Sequence, residues 1–135
     1  MKLVSEAMNR SLVTVMQDAP MADVVALVRR TGAEHVLVME DQILVGILCA
    51  CDLRGASPEE PVRDRMSVPV VTVRPDTELC DAAATMCEQG VGCLPVTVGG
   101  LILGTVSEAE IERAGVGAPH PRCPHTHRRA SRFRH

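Results

Sequence analysis

At 135 residues, the chain has room for one ordinary domain or two very small ones. Phe133 is its only aromatic side chain, which argues against single-stranded nucleic-acid modules, since these stack bases on aromatic rings. Residues 1–112 carry eight basic and 17 acidic side chains, whereas residues 113–135 carry six arginines and no acid, so the acidic body is a poor candidate for binding nucleic acid.

The first half of the chain predicts alternating helices and strands that end in a turn-rich linker. Apolar residues at helical spacing mark the helices, and short β-branched runs mark the strands. Pro20 fits the start of the second helix and Gly32 fits its end. In chain order, the prediction is a helix over residues 4–9, a strand over 11–15, a helix from 18 to about 30, a hairpin of strands 34–39 and 42–49, a brief helical stretch over 52–54 and a linker over 55–61.

The second half of the chain repeats the first at a spacing of 58 residues. Gly104 follows Gly46 at this spacing, and Met66 follows Met8 in the same way. The second copy is therefore expected to form the same elements as the first. These are a strand over residues 71–73, a helix over 78–89, a hairpin of strands 93–98 and 101–106, and a last helix over 107–113.

Each copy has the order β-α-β-β-α, which places the fold in a mixed α/β (α+β) class. A copy of this size is too small to bury both faces of its sheet alone, so we expect the two copies to pack on each other. The predicted domains are repeat 1 over residues 1–57, repeat 2 over residues 58–115 and a basic tail over residues 116–135.

Hydropathy and cysteine usage indicate where the protein works. No stretch reaches the run of about 18 apolar residues that a membrane helix needs, and residues 1–10 lack an apolar signal segment. We therefore predict a cytoplasmic protein with reduced thiols. Cys80, Cys87 and Cys93 are predicted to be small core residues. The closely spaced pair Cys49-Ala50-Cys51 lacks the two-residue spacing of zinc knuckles and thioredoxin-type motifs.

A strand-to-helix junction recurs at residues 46–53 and 104–111, each time with an acid in the first helical turn. A helix start offers unpaired backbone N–H groups that suit a small anion. An acid at this position is also an ordinary cap, as with Ser107 and Glu110, which have capping-box spacing. The recurrence of the junction in both copies favours a binding site over a simple cap.

These residues resemble a tandem pair of CBS domains, the two-repeat unit called a Bateman module. The resemblance covers about residues 4–114. It rests on Met8, Val13-Thr14-Val15, Ala26, His35-Val36-Leu37-Val38 and residues 46–53 in the first copy, and on Met66, Leu94-Pro95-Val96 and residues 104–111 in the second. It implies a pseudo-two-fold pair of repeats, packed sheet to sheet with the helices outside, which assembles with a second copy as a homodimer.

The resemblance also implies a regulatory protein that is not an enzyme and needs no cofactor. Its expected ligand is an adenosine-containing molecule, such as AMP, ADP, ATP, NAD or S-adenosylmethionine, bound in the cleft between repeats. In the family's signature, a hydroxyl residue contacts phosphate and an aspartate three residues later holds the ribose hydroxyls. Carried onto this chain, Ser107 would contact phosphate and Asp52 would hold ribose. The other ligand-binding residues implied are Gly46, Cys49, Gly104, Glu110, Thr14, Val15, Val36, Thr72, Val73, Leu94 and His35.

The two copies depart from the signature in complementary ways. The first has Cys49 in place of the hydroxyl residue, and a thiol is a weak donor. The second has Glu110 in place of the aspartate, which moves the carboxylate one methylene further out. We therefore expect the Asp52 site to be the stronger one, with phosphate met by backbone N–H groups or by an arginine such as Arg54 or Arg74.

The tail lies outside the resemblance. Its three prolines and interspersed arginines predict disorder or an extended arm. Cys123, His125 and His127 alternate and so share one side of an extended chain, which makes them candidate ligands for zinc, nickel or copper, although no second shell is visible. The alternatives are a basic arm that lies on the acidic body or on an acidic partner, and a tail without a function.

The residues support three hypotheses of different classes. The first is a regulatory sensor that binds an adenosine nucleotide and alters dimer packing or the activity of a protein partner. The second is a ligand-free homodimeric interaction scaffold with degenerate pockets. The third is a metal or thiol sensor that uses Cys49, Cys51 or the tail. No nucleophile, base and orienting group lie at recognisable spacing, so we do not predict an enzyme.

Overall fold

The computed structural model describes residues 2–116 and has the predicted mixed α/β class, with two sheets. The helices are α1 (Val4–Ala7), α2 (Met21–Thr31), α3 (Leu79–Gln89) and α4 (Glu108–Arg113), the strands are β1 (Thr14–Met16), β2 (His35–Glu40), β3 (Ile43–Cys49), β4 (Cys93–Val98) and β5 (Leu101–Ser107), and 3-10 helices span Ala50–Leu53 and Val62–Asp64. Among the described residues, every helix is too short or too polar to span a bilayer. The predicted tail lies almost wholly outside this range.

The chain divides into two compact units, which we name by their signature carboxylates. The Asp52 half is Leu12–Val70. Within the described part of the chain, the Glu110 half combines residues 2–11 with residues 71–116. The compact units therefore divide the chain after residues 11 and 70, whereas the sequence repeats meet at residues 57 and 58.

The Asp52 half has a three-stranded sheet in the order β1-β2-β3, with β1 parallel and β3 antiparallel to β2. Asp41 takes a positive φ of 56° in the tight β2–β3 turn. Helix α2 ends at Thr31, and the next residue, Gly32, has a left-handed backbone and donates its N–H to the Val28 carbonyl at 2.7 Å. The core consists of Met21, Val24, Val36, Val38, Leu48 and Val62.

The Glu110 half pairs only β4 with β5, and the strand predicted over residues 71–73 is reduced to one bridge between Val73 and Val96. Position 95 explains the difference. In the Asp52 half, the Leu37 N–H donates to the Val13 carbonyl at 2.8 Å and so ties the start of β1 to β2. The residue 58 positions later is Pro95, which has no N–H to donate.

The first residues of each repeat pack into the half formed mainly by the other repeat. The Val4 N–H donates to the Thr77 carbonyl, and the Val62 N–H donates to the Ala19 carbonyl, both at 2.8 Å. These two bonds are related by the 58-residue spacing, and both valine side chains are fully buried. We call residues 2–9 and 58–67 the exchanged segments.

The predicted linker is therefore part of the Asp52 half. The Met21 N–H donates to the Glu60 carbonyl at 2.8 Å, and the Ala22 N–H donates to the Pro58 carbonyl at 3.0 Å. These carbonyls satisfy N–H groups in the first turn of α2, where no side chain provides a cap. The composition of the linker indicated turns but not these contacts.

Two further predictions were wrong in detail. Helix α1 ends at Ala7 rather than at residue 9, because Asn9 is extended and exchanges two backbone hydrogen bonds with Thr105 at 2.8 and 2.9 Å. Cys80 was expected in the core but is exposed on α3. Cys93 is buried as predicted, with 5% of its surface exposed.

Candidate functional site

The signature junction of the Asp52 half joins the end of β3 to a 3-10 helix. The strand ends at Cys49, and Asp52 lies in the helix that comes next. The Cys49 N–H donates to Oδ2 of Asp52 at 2.8 Å, so the carboxylate turns back towards the end of the strand. As a whole residue, Asp52 is half-buried. This arrangement places a carboxylate at the end of the sheet.

The strand register brings other predicted residues to the same end of the sheet. His35, at the start of β2, lies directly opposite Cys49. Thr14 begins β1 and is exposed, and it pairs with Leu37, two residues after His35. Val15 is half-buried, whereas Val36 is 1% exposed and belongs to the core. The polar candidates of the Asp52 half thus lie together, and their ligand role stays a prediction.

The junction of the Glu110 half joins β5 to α4 and is held differently. The Ser107 N–H donates to Oε1 of Glu110 at 2.7 Å, which confirms the predicted capping pair. The Ser107 hydroxyl donates to the same oxygen at 2.6 Å. Arg113 Nη2 donates to Oε2 of Glu110 at 2.9 Å. Glu110 is only 6% exposed, and its carboxylate accepts hydrogen bonds from two buried donors of Ser107 and from the exposed Arg113 side chain.

The hairpin of the Glu110 half has the same strand register as the hairpin of the Asp52 half. Cys93 lies opposite Ser107, as His35 lies opposite Cys49. Thr72 is exposed and Val73 is half-buried. Leu94 is fully buried in the core.

Both signature glycines lie where an exchanged segment crosses the hairpin. A Cβ at Gly104 would lie 2.6 Å from the backbone carbonyl oxygen of Asn9, and a Cβ at Gly46 would collide with the side chain of Met66. The close crossing therefore leaves no room for a Cβ at Gly104, and at Gly46 it leaves room only if the Met66 side chain moves. This packing requirement accounts for the two glycines without a ligand.

Sequence reasoning missed two arginines that hold the junctions. Arg113 binds Glu110 from three positions along α4, a spacing that was visible in the sequence. Arg65 donates from Nη2 to the Gly55 carbonyl at 3.1 Å, just after the Asp52 helix, and from Nε to Glu60 at 3.0 Å. The second arginine could not be found, because its position depends on how residues 58–65 fold back.

The pair of Arg65 and Glu60 also sets an ionisation equilibrium. The hydrogen bond from Arg65 lowers the pKa of Glu60 below its ordinary value of 4.5, and the Ser57 backbone N–H adds to the effect. Because its pKa is lowered, the Glu60 carboxylate stays ionised to a lower pH in the folded chain than in the unfolded chain.

Metal binding finds no support in the described part of the chain. Residues 2–116 contain no group of three or more histidine, cysteine, aspartate or glutamate side chains placed to hold an ion. The candidate ligands Cys123, His125 and His127 lie outside the described residues.

A shallow groove of about 310 Å³ lies along α2, and its lining contains none of the predicted site residues. The groove is mostly apolar, with one guanidinium group among its lining side chains. It is lined by Met21, Ala22, Val25, Ala26, Arg29, Ala56 and Pro58.

Comparison with known proteins gives consistent results. A profile of the CBS domain matches residues 4–59 and again residues 62–117. An uncharacterised protein of Methanocaldococcus jannaschii is 30% identical over 122 residues, which are 88% of this chain and 46% of that protein. The chain thus spans about half the length of this relative.

Two solved structures have the same fold. One is the CBS domain pair of protein MJ0100, which was solved in complex with 5′-methylthioadenosine and S-adenosyl-L-methionine. Its TM-score is 0.78 at 19% sequence identity, and the match covers 85% of this chain and 96% of the MJ0100 chain. The other is the cytosolic domain of the Mg²⁺ channel MgtE, which was solved in complex with ATP. Its TM-score is 0.74 at 25% sequence identity, and the match covers 84% of this chain and 48% of the MgtE chain.

Proposed function

Because the chain belongs to the CBS domain family, with one domain in each repeat, we propose that it is a regulatory module that binds an adenosine-containing nucleotide at the Asp52 junction. The ligand alters the packing of a homodimer or the activity of a protein partner. A ligand that binds one arrangement better than another shifts the population towards that arrangement, so no catalytic step is needed.

The observation that carries this proposal is the state of Asp52. The residue is half-buried at the end of the sheet, and the Cys49 N–H fixes the direction of its carboxylate. An ionised carboxylate only accepts hydrogen bonds and has two oxygens, so it can receive both hydroxyls of a ribose. Thr14 and His35 lie at the same end of the sheet and provide polar neighbours.

The ligands of the two similar structures support the chemical class. ATP, 5′-methylthioadenosine and S-adenosylmethionine differ in charge and in the group bonded to the 5′ carbon, but all three contain adenosine. A site that reads adenine and the ribose diol would accept all of them. The atoms attached at the 5′ carbon would then meet Cys49 rather than a hydroxyl group, which favours ligands whose 5′ group depends little on a strong side-chain donor.

The α2 groove is the surface on which we place the second copy of the homodimer. Ala22 and Ala26 are exposed there on a helix whose other face forms the core, and Val25 lies half-buried between them. Small apolar side chains on an exposed helix face allow another helix to approach closely.

Calorimetric titration of the purified protein with AMP, ADP, ATP, NAD and S-adenosylmethionine tests the proposal. GTP controls for the base, and Asp23→Ala controls for the loss of an exposed aspartate. We expect at least one adenosine compound to bind and Asp52→Ala to weaken it about 30-fold or more, since the ribose hydroxyls lose their acceptor. Binding that is equally strong in Asp52→Ala would refute the assignment of the site.

The second candidate function is a ligand-free scaffold. Cys49 favours it, because both signature junctions then lack one expected group. A folded, dimeric protein that binds none of the five compounds would establish this alternative.

A further inference from the structure

The three donors on Glu110 suggest why this half differs from the Asp52 half. Ser107 is the one signature hydroxyl of the chain, and its proton is directed at Oε1 of Glu110 at 2.6 Å. The Ser107 N–H donates to the same oxygen at 2.7 Å. A ligand phosphate at this position would need the same donors, and the carboxylate already receives them in the way a phosphate oxygen would.

The charge of Glu110 adds to this closure. The carboxylate is 6% exposed and is already paired with the Arg113 guanidinium, so an incoming phosphate, which is also an anion, would compete with it for the same donors. Arg113, which could otherwise bind phosphate, is turned to Oε2 of Glu110 at 2.9 Å. Hydrogen bonds to charged groups are among the stronger ones in proteins, so a ligand must break several of them before it gains any.

We propose that Glu110 is a specificity-determining residue that closes the second junction from within and limits the chain to one nucleotide site. The inference rests on the proposed function, because it concerns the second site of the same kind. Glu110 itself touches no ligand. It acts by engaging Ser107 and Arg113, the two groups that would otherwise contact the phosphate.

The chain itself supplies the variant that should open the junction. Asp52 occupies the position that corresponds to Glu110, and it accepts a hydrogen bond from the corresponding backbone N–H at 2.8 Å. Glu110→Asp is therefore expected to keep the cap while its shorter side chain releases the Ser107 hydroxyl and Arg113. A second variant, Glu110→Gln, keeps the length of the side chain but removes the charge.

Titration with AMP, which carries one adenine, one ribose and one phosphate, tests the inference. Wild type is expected to bind one AMP per chain, and Asp52→Ala is expected to bind about 30-fold more weakly or not at all. Adding Glu110→Asp to Asp52→Ala is expected to raise AMP affinity about tenfold or more, and adding Glu110→Gln to raise it about threefold. Thermal unfolding of each variant verifies that it is folded. A gain of binding is a result that a purely structural role for Glu110 would not produce.

The outcomes separate this inference from the proposed function. Two AMP per wild-type chain, or a failure of both Glu110 variants to gain binding, would overturn the closure even if Asp52 proves essential. If Asp52→Ala binds AMP as tightly as wild type while Glu110→Asp gains a second AMP, the closure stands and the assignment of the Asp52 site fails. If neither wild type nor Glu110→Asp binds any of AMP, ADP, ATP, NAD and S-adenosylmethionine, both are overturned.

Discussion

The Asp52 half and the Glu110 half share one backbone plan but use their signature carboxylates differently. His35 opposes Cys49 in one half as Cys93 opposes Ser107 in the other, and the register shift at Val38 recurs 58 residues later. The shared features are those that buried contacts require. The chemistry differs just after the second hairpin strand, where Cys49 and Asp52 in one half correspond to Ser107 and Glu110 in the other.

The divergence concerns what each carboxylate faces. Asp52 is half-buried and is directed by the backbone at the end of its strand. Glu110 is buried and is bound by a hydroxyl, a backbone N–H and a guanidinium. A group that is fully engaged inside the fold contributes to stability, whereas a group that keeps some exposure can serve a ligand. The comparison therefore predicts opposite consequences for the two carboxylates.

The largest expected effect is on stability at Glu110. Glu110→Ala leaves the buried Ser107 N–H and hydroxyl without their acceptor and is expected to cost about 3 kcal/mol of unfolding free energy. Asp52→Ala is expected to cost about 1 kcal/mol, because solvent reaches this site and can replace the lost cap. Urea denaturation measures both, with exposed Glu112→Ala as the neutral control on α4. Equal costs at the two carboxylates would break the comparison.

The glycines provide the next test. Gly104→Ala places its Cβ against the backbone of Asn9, which cannot move without breaking its pairing with Thr105, so we expect a loss of about 2 kcal/mol. Gly46→Ala meets the flexible side chain of Met66 and is expected to lose about 1 kcal/mol or less. Thermal unfolding of the two variants ranks them. The reverse order would mean that the exchanged segments do not cross the hairpins as described.

Two arginines sharpen the assignment of the site. Arg54 is exposed two residues after Asp52, whereas Arg74 lies in the Glu110 half and pairs with Asp76. Arg54→Ala is expected to weaken AMP binding about five- to tenfold through the loss of a phosphate contact, and Arg74→Ala by less than about twofold. Calorimetry on both variants checks this. A larger loss of AMP affinity from Arg74→Ala than from Arg54→Ala would mean that the phosphate is bound by the Glu110 half.

The smallest expected effect is a pH dependence of stability in the Asp52 half. The pKa of Glu60 is lower in the folded chain than in the unfolded chain, so its contribution to stability is complete above about pH 4.5 and is lost as the pH falls through the lower folded value. Arg65→Met removes the main cause. Denaturation midpoints of wild type and Arg65→Met should differ by a constant amount from pH 7 to about 5 and converge below pH 4.5. A difference that grows in acid would contradict this.

Local patterns predicted much of the fold. The helix over residues 78–89 and both hairpins were correct to within one or two residues, because amphipathic spacing and turn residues are properties of neighbouring positions. The capping pair of Ser107 and Glu110 was also predicted from its spacing. The loss of the strand before α3 results from Pro95, whose effect depends on a pairing between distant segments.

Contacts between distant segments could not be predicted from the sequence. The linker composition predicted turns, but not that Val62 is buried in the Asp52 half or that Met8 and Asn9 cross Gly104. At the candidate site, the turn of each hairpin sets the register of its two strands. The pairing of His35 with Cys49 could therefore have been predicted from the sequence. The spacing of Ser107 and Glu110 predicted the backbone cap, but the hydrogen bond from the Ser107 hydroxyl to Glu110 depends on the rotamers of both side chains, which a spacing pattern does not contain.

The central claim is that a nucleotide binds in the Asp52 half and not in the Glu110 half. Hydrogen–deuterium exchange of the wild-type protein, with and without saturating AMP, ATP or S-adenosylmethionine, tests it by location. We predict slower exchange in residues 14–16 and 35–54 with at least one of the three compounds, and unchanged exchange in residues 93–113. Protection that is confined to residues 93–113, that is equal in the two halves, or that is absent with all three compounds would contradict the claim.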